Sequence, residues 1–200
     1  FTKFAEAGDE VIYICFSTGL AGTYNSANIA KEDLLETYPD FDLTIIDSKC
    51  AALGFGLLVY YALRMQEEGK SKEEIIEGVL YNRDHMEHVF TVENLEYLFK
   101  GGRISKTAKT FGGMLNICPI IEVDDDGALN AIEKVRGRHK SLSRCVDIVG
   151  ERNPDIANTI VGVCHGDDIE SAKIVENMLK EKYGCTNFVE SYVGCAIGAH

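Results

Sequence analysis

The feature that most constrains this chain is a repeated exchange between short apolar runs rich in β-branched residues and longer stretches with helical spacing. Glu10–Phe16 reads as a buried strand, Tyr24–Thr37 as a helix, Leu43–Asp47 as a second short strand, and Leu53–Glu68 as a helix that stops at Gly69. A glycine just past a periodic segment is a usual helix C-terminus, because it enters the left-handed region without steric cost. Ser71-Lys72-Glu73-Glu74 places Ser and Glu three residues apart, a capping box that opens another helix. Strands that alternate with helices need crossover connections, so this half predicts a parallel sheet with helices packed on it.

The pattern changes near residue 85. His88–Val92 is strand-like, a short helix and the pair Gly101-Gly102 follow, and Ser105 has the form of an N-cap for a further helix. Pro119–Val123 and Ala131–Val135 flank Asp124-Asp125-Asp126-Gly127, a turn signal between two antiparallel strands. A long helix, a strand at Thr159–Cys164, a helix at Ile169–Lys182 and a strand near Asn187–Val193 complete the chain. The expected fold class is α/β with two domains. Residues 1–85 are expected to form a parallel-sheet, Rossmann-like N-terminal domain, and residues 86–200 a mixed-sheet α/β C-terminal domain. Phe1–Gly8 reads as the tail of a helix already under way, and His200 sits directly behind an apolar run, so the first domain is expected to be cut short at its start and the second at its end.

Charge narrows the function. A formal net charge of -12 repels phosphate backbones and anionic lipid headgroups, which argues against nucleic-acid binding and polybasic membrane docking. Any anionic partner must meet a local basic patch. No apolar stretch of this sequence is long enough to span a bilayer and none has the form of a signal peptide, so neither a transmembrane segment nor a signal peptide is expected. The seven cysteines are odd in number and contain no C-x-x-C pair. Several, such as Cys15 and Cys164, lie in apolar runs where a thiol packs as a small hydrophobe, a pattern that suits a reducing cytoplasmic setting.

Three segments carry candidate chemistry. Phe16–Ala27 runs from the first strand into a helix, where free helix N–H groups and the hydroxyls of Ser17, Thr18 and Thr23 would suit a carboxylate or phosphate. The same residue types also cap helices without binding anything. Asp47–Val59 is again strand into helix, and Gly54 and Gly56 on the helical stretch signal close approach of backbone to a packed helix or to a ligand chain. Gly54-x-Gly56 lacks the third glycine of a dinucleotide fingerprint. Two basic clusters, Lys100 to Lys106 and Lys134 to Lys140, form a candidate docking patch in an otherwise acidic chain.

Other patterns are set aside. Gly69-Lys70-Ser71 imitates the end of a P-loop, but Arg64 stands where its first glycine belongs. His85 and His88 would share a helix face as metal ligands, yet no third ligand has suitable spacing, and no metal is expected. His165-Gly166-Asp167-Asp168 would complete a hydrolase triad with Ser17, but no G-x-S-x-G elbow presents that serine.

Taken in order, Ser17–Tyr24, Asp47-Ser48-Lys49 with Gly54–Val59, Glu96-Tyr97-Leu98 through Gly101–Lys106, Leu115–Ile120 and Lys134–Arg138 resemble the DegV family over nearly the whole chain. The resemblance implies a non-catalytic carrier that holds a long-chain fatty acid in an apolar tunnel, with no other cofactor. It also implies a partner, a fatty acid kinase that converts the bound acid to an acyl phosphate for phospholipid synthesis. The carboxylate would be held by Ser17, Thr18, Ala21, Gly22 and Thr23 of the first loop and by His200, which matches the family's histidine near the C-terminal glycine-rich end. The family usually has Ser where this chain has Ala21, so Thr18, Ser17 or backbone N–H groups would take over that contact. The family's threonine in a T-S-Q-P motif would lie before Phe1. Arg103, Arg136 and Arg138 match positions that resemble the kinase-docking arginines. The competing readings are a nucleotide- or phosphate-binding α/β enzyme that uses the 17–23 loop, and a scaffold whose apolar cleft meets another protein.

Overall fold

A computed structural model of the chain describes residues 1–104 and 116–198. It divides into two compact units, one of Phe1–Ala51, Phe55–Met86 and Asp125–Ala128, the other of Ala52–Gly54, Glu87–Asp124 and the chain from Leu129 onward.

The first unit opens with helix α1 (Thr2–Ala7), closed by Gly8 in the left-handed conformation. Strands β1 (Val11–Cys15) and β2 (Leu43–Asp47) pair in parallel, from Val11 against Leu43 to Cys15 against Asp47. Helix α2 (Thr23–Thr37) connects them, as a parallel pair requires. Helices α3 (Ala52–Glu67) and α4 (Lys72–Arg83) follow. Ser71 opens α4 with both halves of a capping box: its hydroxyl accepts from the Glu74 N–H at 3.3 Å, and the Glu74 carboxylate accepts from the Ser71 N–H at 2.8 Å. That backbone bond, with Lys70 behind it, holds the Glu74 carboxyl below its usual range. Ile14, Ile46, Cys50, Leu58, Ile75 and Val79 form the main core, and Ala5, Phe41 and Leu43 a second one. Each fully buried aliphatic side chain stabilises the fold by about 1.5–3 kcal/mol.

The second unit carries two sheets. Strands β3 (Val89–Thr91), β4 (Ile117–Val123) and β5 (Leu129–Arg136) form an antiparallel sheet in that order. The hairpin strands are longer than the sequence predicts, since β4 runs through Pro119. Pro119 lies one residue beyond Ile120, the last that β3 pairs with, so on that edge no ladder donor is needed. A register shift occurs at Ile120/Ile121, where β5 accommodates one extra residue. Helix α5 (Glu96–Lys100) lies between β3 and β4 in sequence. Helix α6 (Arg138–Arg152) leads to β6 (Val161–His165), and α7 (Ile169–Tyr183) connects β6 to its parallel partner β7 (Phe188–Tyr192). The short α8 (Cys195–Gly198) was not legible from sequence. The helix expected from Ser105 lies outside the described residues.

One of the cysteines expected in the core lies outside it. Cys164 is exposed, not buried, because β6 alternates faces and turns Val163 and His165 inward while Gly162 and Cys164 point out. Cys15, Cys50, Cys118, Cys145 and Cys185 are buried. Burial pushes the thiols of Cys50 and Cys145 up to about 12 and that of Cys15 up to about 11, so all three stay protonated at neutral pH.

Candidate functional site

Parallel strands deliver ligands to the loops beyond their carboxyl ends, and in the first unit those are the β1–α2 loop (residues 16–22) and the β2–α3 loop (residues 48–51). Asp47, the last residue of β2, joins the two. Its carboxylate accepts the Thr18 N–H at 3.1 Å, the Thr18 hydroxyl at 2.6 Å and the Lys49 N–H at 3.0 Å. The Ser17 N–H donates to Cys50 O at 3.2 Å and the Ser48 N–H to Cys15 O at 3.1 Å, which continues the parallel pairing past the strand ends.

Ser17 is fully buried. Its hydroxyl donates to Gly127 O at 2.7 Å and accepts the Gly19 N–H at 3.1 Å, while its carbonyl accepts the N–H groups of Leu20 and Ala21. Lys49 sits in the left-handed region with φ 50 and donates its ammonium to Asp125 O at 2.7 Å. Gly19 and Gly127 meet so closely that a Cβ on Gly19 would lie 2.6 Å from Gly127 O. The acceptor of the Ser17 hydroxyl is a carbonyl rather than a basic nitrogen, so nothing withdraws its proton to make a nucleophile. Further along the loop Ala21 is partly exposed and Gly22 and Thr23 more fully so.

None of the loop hydroxyls caps α2. Gly22 is the N-cap and no side chain closes the helix, because Ser17 and Thr18 are engaged elsewhere. The first-turn N–H groups of a 15-residue helix are therefore left without a side-chain acceptor, at the positive end of its dipole. A concavity of about 400 Å³, lined by Gly8, Asp9, Glu10, Tyr38 and Asp42 among others, lies instead at the amino ends of β1 and β2. That is the wrong end of a parallel sheet for a ligand site, and it is acidic.

Gly54 has a different explanation. A Cβ there would lie 2.0 Å from His88 Nε2, so the glycine makes room for an imidazole. His85 stacks on Tyr81 and bonds its carbonyl at 2.7 Å, past the end of α4, so the pair does not share a helix face. Among the described residues no group of three potential metal ligands occurs. His165 Nδ1 accepts the Asp168 N–H at 3.1 Å and its ring packs on Tyr192, which leaves it an N-terminal support for α7.

The three arginines fall in the second unit with different surroundings. Arg138 donates to Asp168 Oδ2 at 3.0 Å and reaches Thr91 O at 3.5 Å. Asp168 is the N-cap of α7. Its bonds with Ser171, and then with Arg138, hold its carboxyl below the usual range. Arg103 donates to Gly101 O at 2.6 Å. Arg136, the last residue of β5, is exposed. His200 lies outside the described residues. Sequence reasoning missed Gly127 and Asp125 as parts of the loop assembly, since they stand 110 and 76 residues from the side chains that hold them and carried only a turn signal. Among the described residues no helix is long and apolar enough to cross a membrane.

The family model described as "Uncharacterised protein, DegV family" matches residues 1–200. A DegV domain-containing protein of Clostridium perfringens is 41% identical over 200 residues, covering 100% of this chain and 69% of the relative. Among solved structures, a DegV family protein from Eubacterium eligens loaded with heptadecanoic acid is 28% identical with a TM-score of 0.85, over 98% of this chain and 72% of that one. A stearic acid-binding protein from Eubacterium ventriosum is 32% identical with a TM-score of 0.84, over 100% of this chain and 69% of that one.

Proposed function

The chain belongs to the DegV family, and from that premise we propose that it binds a long-chain fatty acid and presents the carboxylate to a fatty acid kinase, which makes an acyl phosphate for phospholipid synthesis. The observation that carries this reading is the likeness, along essentially the whole chain, to a protein loaded with heptadecanoic acid and to a stearic acid-binding protein. The chain acts as a carrier, without a nucleophile or a metal of its own, in the cytoplasm.

The physical logic is a division of labour. Removing each methylene of an acyl chain from water gains about 0.8 kcal/mol, so the tail drives binding. The carboxylate carries a heavy desolvation penalty unless donors meet it. Ser17, Thr18, Ala21, Gly22 and Thr23 place a loop and an uncapped helix start at the carboxyl end of β1, and His200 supplies the imidazole that the family pattern calls for. Kinase docking falls to Arg103, Arg136 and Arg138. In a chain of net charge -12 such a basic patch is the local exception that an anionic partner needs.

A ligand that binds only the folded state raises its stability by about 2.7 kcal/mol at a hundred times the dissociation constant. Palmitate is therefore expected to raise the melting temperature by several degrees and ATP to leave it unchanged. Stabilisation by ATP with none by palmitate would transfer the 17–23 loop to a nucleotide-binding enzyme instead.

A further inference from the structure

Within the first unit, the turn Asp125–Ala128 is held by two side chains from different loops. The Ser17 hydroxyl gives its one proton to Gly127 O at 2.7 Å, and the Lys49 ammonium donates to Asp125 O at 2.7 Å. The contact has no slack. A Cβ on Gly127 would lie 2.1 Å from Ser17 Oγ and 3.0 Å from Lys49 Cα, and Gly127 already has φ 76, where a side chain is strained. Lys49 accepts the left-handed region at a cost for a residue with a Cβ. Fixed costs of this kind persist where the surrounding structure needs the geometry they impose.

A carboxylate only accepts hydrogen bonds, so it competes with Gly127 O for the single proton of Ser17. With Ser17 fully buried and Gly19 packed against the same carbonyl, direct ligation requires the turn to leave. Resting on the carrier reading, we propose that Ser17 is a positioning residue: with Lys49 it clamps the Asp125–Ala128 turn onto the β1–α2 loop and so fixes the shape in which that loop meets a fatty acid carboxylate. Thr18 is fixed in parallel by Asp47, so the two residues ahead of Gly19 are both anchored before any ligand arrives.

The test is a two-residue cycle on the full chain with Ser17→Ala, Gly127→Ala and the double variant. Affinity is read by displacement of a fluorescent fatty acid with palmitate and with hexadecanol, which shares the tail but has no carboxylate. Gly127→Ala is expected to weaken palmitate about tenfold or more, as a strained contact at the loop would, with little change for hexadecanol. Adding Ser17→Ala removes the 2.1 Å collision and is expected to recover part of that loss. A Ser17 that touched the ligand gives the opposite result, a double variant weaker than either single one, and that overturns the proposal. A purely structural role leaves the palmitate-to-hexadecanol ratio unmoved and also overturns it. Amide exchange gives an arm that needs no lipid. Ser17→Ala and, separately, Lys49→Ala are expected to speed exchange at 125–128, and unchanged protection in both removes the clamp. If the parent protein binds no palmitate, the carrier reading fails while the exchange arm still decides the clamp.

Discussion

Arg136 and Arg138 stand two residues apart, yet one ends a strand in solvent and the other ties the start of α6 to the N-cap of α7 and to the Thr91 carbonyl. Arg138→Ala should therefore destabilise the protein, by under about 1 kcal/mol because the pair is partly exposed. Arg136→Ala should leave stability unchanged and lower acyl phosphate formation with the kinase. Melting curves and the coupled assay, run on both variants, separate these outcomes, and equal destabilisation would remove the distinction. A pH dependence follows from Arg144, whose guanidinium bonds both oxygens of Glu133 and holds that carboxyl below its usual range. A depressed carboxyl contributes stability above its unfolded pKa of about 4.3 and loses it as pH falls through the lower folded value. Glu133→Gln should therefore weaken the fold in denaturant melts at pH 7, and the difference between the two proteins should shrink as pH falls below about 4.3. At Ala21, partly exposed at the loop mouth, Ala21→Ser should tighten palmitate roughly threefold to tenfold, the worth of one added hydrogen bond. Unchanged affinity in the displacement assay would place the carboxylate away from that side chain.

The elements most open to sequence reading are those specified by neighbours in the chain. Ser71 and Glu74 are three residues apart and form the capping box they advertise, and Gly69 ends α3 with φ 77. Ser71→Ala should cost about 1 kcal/mol in a denaturant melt, since one N–H of α4 loses its acceptor. The loss of less than a few tenths would show that water replaces the cap. Elements specified by distant residues were less legible. β6 looked like an apolar run fit for full burial, but it buries one face only, and Cys164 lies on the other. The Ser17 hydroxyl suggested an anion donor, and its acceptor is a carbonyl 110 residues away that no local pattern announces. The strand-to-helix position of the Ser17–Thr23 loop was readable because strand, glycines and helix are contiguous. The partner of its serine was not.

At the scale of the whole molecule, the change from alternating strands and helices to a hairpin marks the passage from the parallel pair of β1 and β2 to the antiparallel sheet of β3, β4 and β5. Periodicity carries that much because it is set by which face each residue buries. The proposed ligand is not written in periodicity; it rests on motif blocks that resemble the DegV family and on structural neighbours loaded with or binding fatty acids. A net charge of -12 and the proposed acyl cargo are compatible only if the carboxylate is met by local donors, and the uncapped start of α2 beyond β1 presents such N–H groups. The most direct measurement is a mass spectrum of whatever organic solvent extracts from the purified protein. A long-chain fatty acid in near-equal amount to the protein is the expected result; a lipid-free protein that also takes up no added palmitate contradicts the carrier.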